Sequence, residues 1–152
     1  MAVESITPVL NVSDIGASFE WFEKLGWQRT FSWNQGGLIG DGADAGAENQ
    51  HGKAGFGGVG QGETTIFLCV DGQGSRGTIM PRHPGDDQTD GVWMTWWVSA
   101  PHEVDDLHRT AVEHEMIVTF PPTDTPWGVR EFHLRHPDGH MFRVSCGADE
   151  TS

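Results

Sequence analysis

Along residues 6–12, ITPVLNV, every second side chain belongs to one apolar set: Ile6, Pro8, Leu10 and Val12. That alternation predicts a short strand with one buried face. Ile15, Phe19, Phe22 and Leu25 then recur at helical spacing, with Ser13 placed to cap the start and Gly26 to close the end. Three more strands are expected at 27–31 (WQRTF), 54–60 (AGFGGVG) and 64–70 (TTIFLCV). The same succession returns further on. VWMTWWV at 92–98 reads as a strand, and Pro101 opens a helix whose apolar face carries Val104, Leu107 and Ala111. Strands at 117–120, 129–135 and 140–146 follow, the last two joined by the turn Pro137-Asp138-Gly139. Each helix is preceded by Val-Ser (Val12-Ser13, Val98-Ser99), and each following strand ends in Thr-Phe (Thr30-Phe31, Thr119-Phe120). The pattern predicts an α+β fold made of βαβββ twice, as modules of about 5–70 and 91–146 joined by a loop at 71–90.

Successive side chains of a strand point to opposite faces. Ile6, Leu10, Ile66, Leu68, Met94, Trp96, Phe142 and Val144 therefore fall on almost wholly apolar faces, which the helices are expected to cover. The opposite faces carry Thr7, Val9 and Asn11; Thr65, Phe67 and Cys69; Trp93, Thr95 and Trp97; and Met141, Arg143 and Ser145. Aromatics interleaved with small polar groups make a poor core and a good pocket lining. A subunit interface is the competing use for such tryptophans.

The segments 34–53 and 71–90 are rich in Gly, Asp and Ala or Pro, and both read as loops. Nine Lys and Arg stand against 22 Asp and Glu, a formal charge of −13. Such a field disfavours nucleic acid and anionic membrane and attracts cations. No run of 18 apolar residues predicts a membrane span, and the first residues show no basic-then-apolar leader. The cysteines, Cys69 and Cys146, match no metal or redox spacing and are expected as buried free thiols of a cytoplasmic protein.

The strings TPVLNVSDI, WFEKLGW, TIFLCVDG and PWGVREFHLRHPDGH resemble the vicinal-oxygen-chelate superfamily of glyoxalases, bleomycin-resistance proteins and ring-cleaving dioxygenases, and within it the bleomycin-resistance branch. The resemblance spans the chain outside the two glycine-rich segments. It implies a single domain in which the paired modules form a curved mixed sheet around a cleft, with the helices on the convex side. It also implies a homodimer with clefts between chains, the N-terminal strand being open to exchange, and a bleomycin-type ligand.

Enzymes of that superfamily take metal ligands from four strand positions, which by matching strings fall at Thr7, Phe67, Trp93 and Arg143. None is an imidazole, carboxylate or thiolate, and a guanidinium repels a cation. The expectation is therefore a non-catalytic binder of a flat, cationic small molecule, with no metal and no cofactor. Its ligand surface is expected to comprise Thr7, Val9, Asn11, Phe67, Trp93, Thr95, Trp97, Trp127, Glu131, His133 and Arg143. The alternative is a metal-dependent isomerase, lyase or dioxygenase using Glu131 and His133, which share a strand face. A module that only joins subunits explains the tryptophans but not the polar residues between them.

Overall fold

The computed structural model describes residues 2–46, 48–49, 52–70 and 91–147. The expected loop at 71–90 lies outside them. The chain divides into two compact units, Met1–Ser75 and Arg76–Ser152.

The first unit begins with β1 (Val9–Asn11), α1 (Ile15–Glu23) and β2 (Gln28–Asn34). It continues through β3 (Gly37–Asp41), a 3₁₀ turn at Gly42–Asp44, and the short antiparallel pair β4 (Glu48–Asn49) and β5 (Gly52–Lys53). It ends with β6 (Phe56–Gln61) and β7 (Thr64–Cys69). The sheet runs β1-β7-β6-β2-β3, with β1 parallel to β7 and the rest antiparallel. The second unit contains β8 (Trp93–Trp97), α2 (Pro101–Glu113), β9 (Ile117–Asp124), β10 (Val129–Arg135) and β11 (Met141–Gly147). Its sheet runs β8-β11-β10-β9, again with one parallel pair. The fold is α+β, built from βαβββ modules as the pattern predicts.

The repeat extends to register. Val9 lies opposite Phe67 as Thr95 lies opposite Arg143. Phe67 faces Gly58 and then Phe31, as Arg143 faces His133 and then Phe120. Val12 donates to the Cys69 carbonyl and Val98 to that of Ser145, both at 2.9 Å. Both helices end alike. Trp27 N–H reaches back to Phe22 O and Met116 N–H to Ala111 O, over residues with positive φ, Gly26 (91°) and Glu115 (57°). Glycine enters that conformation without strain and glutamate does not.

Three expectations need correcting. The cap of α1 is Asp14, not Ser13: Asp14 has extended backbone, and its Oδ1 accepts from Ala17 N–H at 2.8 Å. Ile6 is 86% exposed, because β1 pairs with β7 only over Val9–Asn11 and leaves the chain before it outside the sheet. Segment 34–53 is not simply a loop, since β3 lengthens β2 into a hairpin and forms the sheet edge.

Each helix covers one face of its own sheet. Leu10, Leu68 and Val59 are buried with Ile15, Phe19 and Phe22 of α1. Gly57 allows that close approach, because a Cβ there would stand 2.9 Å from Phe19 and 3.2 Å from Ile15. In the second unit, His108 of α2 packs edge-on against Phe132. Trp96 stacks on the buried Phe142 at 4.5 Å. Both cysteines are buried free thiols.

Candidate functional site

The face of the second sheet turned away from α2 is ordered in rows by the strand register. One row runs Thr95, Arg143, His133, Phe120, and the next runs Trp97, Ser145, Glu131, Thr123. A third holds Trp93, Met141, Arg135 and Ile117. Alternation on β8 thus places Trp93 and Trp97 on either side of Thr95 on this face. They are 42% and 68% exposed.

Glu131, on the same face two strands away, has no exposed surface. Its Oε1 accepts from Arg143 Nη2 at 2.8 Å and from Ser145 Oγ at 3.1 Å. Its Oε2 accepts from the same Nη2 at 3.1 Å and meets His133 Nε2 at 2.9 Å. Burial pushes this carboxyl up; the Arg143, His133 and Ser145 contacts outweigh it and hold it below the ordinary carboxylate value. A carboxylate only accepts, so His133 carries its hydrogen on Nε2. The imidazole packs against Phe120 (centroids 4.7 Å apart) and perpendicular to Trp93 (5.6 Å). His133 Nδ1 and Arg143 Nε are enclosed, without hydrogen-bond partners among the described residues. Arg143 Nη1 also has no partner among the described residues, and it is not enclosed.

The structure thus brings together Trp93, Thr95, Trp97, Glu131, His133 and Arg143. Trp127 stands in the turn between β9 and β10, 62% exposed, with no bond or ring contact to these residues among those described. The remaining expected residues belong to the first unit. Val9 is half-buried opposite Phe67, Asn11 is buried, and Thr7 precedes β1. Phe67 packs edge-on against Phe31 and Phe56 at 5.6 and 5.5 Å. The sequence reading missed Ser145 and Phe120 as neighbours of Glu131 and His133. The signal was present: counting back from the 136–140 turn along two antiparallel strands pairs His133 with Arg143 and Glu131 with Ser145.

These residues do not suit a divalent metal. Of the four positions matched to metal ligands, Phe67 is packed among aromatics, Trp93 covers His133, and Arg143 is the cation of an ion pair. Thr7 offers only a hydroxyl. Both oxygens of Glu131 are already engaged, by the guanidinium among others. Among the described residues no three His, Cys, Asp or Glu side chains are grouped to hold an ion.

Comparison with known proteins gives the same fold. A glyoxalase/bleomycin resistance protein/dioxygenase from Nocardioides superposes with a TM-score of 0.61 at 18% identity, covering 98% of this chain and 87% of that one. TioX from Micromonospora sp. ML1 gives 0.61 at 16%, covering 95% and 97%. A bleomycin-binding protein complexed with bleomycin gives 0.60 at 15%, covering 95% and 99%. No curated protein matches the chain. Residues 5–144 match the family model, and with the βαβββ repeat this places the chain in the Glyoxalase/Bleomycin resistance protein/Dioxygenase superfamily.

Proposed function

We propose that this chain binds a flat aromatic small molecule without transforming it, as a bleomycin-resistance-type protein and as a homodimer in the cytoplasm. The observation that carries the reading is the pair of exposed indoles, Trp93 and Trp97, flanking Thr95 and Arg143 on the sheet face away from α2. Indole faces stack on planar heteroaromatic rings and leave large apolar surface to be covered. The charge of −13 favours a ligand that is cationic overall, by an attraction that salt screens. The fold it shares with a bleomycin-binding protein makes bleomycin the first ligand to try.

The test is titration with bleomycin while following indole fluorescence. Saturable quenching is expected, with Trp97→Ala and Trp93→Ala each weakening binding by roughly 1–3 kcal/mol. Quenching that never saturates, or that survives both substitutions, would remove the reading. The rival is an enzyme using Glu131 and His133 as metal ligands, and the hydrogen bond that joins the two speaks against it. Elemental analysis of protein purified without chelator separates the two: one metal per chain, lost in His133→Ala, favours the enzyme. A monomer by sedimentation at micromolar concentration would remove the dimer.

A further inference from the structure

The ionic network of the second unit occupies positions that the first unit fills without charge. By register, Phe56 stands where Glu131 does, Phe67 where Arg143 does, and Phe31 where Phe120 does. Those three phenylalanines pack on one another with centroids 5.5–5.8 Å apart. This backbone therefore closes with an aromatic cluster, and nothing in its geometry requires a buried carboxylate. Apolar packing commonly serves stability at least as well as a buried ion pair. The second unit instead buries an acid and uses it to hold a guanidinium.

That guanidinium is only partly used. Glu131 takes hydrogen bonds from Nη2 alone; among the described residues Nη1 and Nε have no partner, and the side chain is 37% exposed. The acid beneath it has no exposed surface, so of the two charges Arg143 is the one the face presents. An oriented guanidinium suits planar oxygen acceptors, because its N–H groups lie in one plane. Trp93 and Trp97 flank it on the next strand.

We propose that Arg143 is an acceptor subsite: the flat ring lying on the indoles carries a carboxylate or carboxamide oxygen, and Arg143 donates to it. The subsite rests on the small-molecule-binding reading above and names the chemistry of the ring end. Any positive charge of the ligand then sits away from that end.

The experiment is calorimetric titration with two probes of one ring, naphthalene-2-carboxylate and naphthalene-2-methylamine. They are compared on the native chain, Trp97→Ala, and the charge-free double variant Glu131→Gln/Arg143→Met. The native chain is expected to prefer the carboxylate about tenfold, and the double variant to lose that preference. If the double variant does not fold, Arg143→Lys takes its place, with a loss of at least severalfold for the carboxylate and little change for the amine. An amine that binds the native chain as tightly as the carboxylate, while Trp97→Ala weakens both, overturns the subsite and leaves the binding reading intact. A carboxylate preference that persists without Arg143 also overturns it. Binding of neither probe removes the small-molecule reading, and the subsite with it.

Discussion

Replacing Arg143 with methionine strips the buried Glu131 carboxylate of its cation while keeping most of the side-chain volume. His133 and Ser145 remain as partners, so the acid is not wholly abandoned. Removing one partner of a buried pair costs roughly 3–5 kcal/mol. Because the Arg143 side chain is 37% exposed, water can reach part of the vacated space, and the low end, about 3 kcal/mol at pH 7, is expected. The pH dependence identifies the cause. In the native chain the Glu131 carboxyl is depressed below its ordinary value, so the unfolded state takes up the proton more readily. That contribution is complete above the unfolded value of about 4.5 and is lost as pH falls through the lower, folded value. Without Arg143 the contacts that oppose burial are weakened, and the folded value rises. The deficit of Arg143→Met is therefore largest at neutral pH and shrinks as acid neutralises Glu131. Urea unfolding of both chains between pH 4 and 7 measures this, with Glu131→Gln/Arg143→Met expected to recover most of the loss. A deficit under about 1 kcal/mol at pH 7 would show that the pair does not carry this weight. So would one independent of pH, or a double variant no better than the single.

Glu115→Gly should stabilise the chain by about 0.5–1 kcal/mol in urea unfolding, since it relieves a left-handed glutamate where α1 uses glycine at the same closure. Burial, with the neighbouring His140, pushes His136 down to about 3, so the folded state resists a proton that the unfolded state accepts near 6.5. Stability from this residue is therefore complete above 6.5 and falls towards pH 3 by up to about 1.4 kcal/mol per unit; His136→Asn, which can still accept from the Asp138 N–H, should flatten that slope. Trp96→Ala should cost about 3 kcal/mol of stability through its stack on Phe142, whereas Trp97→Ala, at a 68% exposed site, should change the unfolding midpoint little.

Both helices and the strands of the repeat were legible because their apolar periods are strong and their ends carry Gly26 and Pro101. β3 was not. GLIGD is held by pairing with β2, and its own composition resembles that of a turn. β9 runs past the expected 117–120, through Pro121-Pro122 to Asp124, at the edge of its sheet where prolines are tolerated and the register against β10 slips. The face assignment of Trp93, Trp97 and Arg143 could be read from alternation alone. What alternation left hidden was that Glu131 and Arg143, twelve positions apart, form one ion pair. Strand pairing creates that contact, and a single strand's pattern does not contain it.

The two prolines of β9 also bear on how the protein behaves when concentrated. Pro121 and Pro122 carry no amide hydrogen, so neither can donate to a strand laid along this edge. A foreign strand laid along this edge would find its ladder interrupted midway, beside the exposed and apolar Ile117 that would otherwise invite it. Fibril growth by strand addition is blocked at that margin by the backbone itself. That block is independent of charge, and so it persists at high salt and near the isoelectric point, where repulsion between copies vanishes.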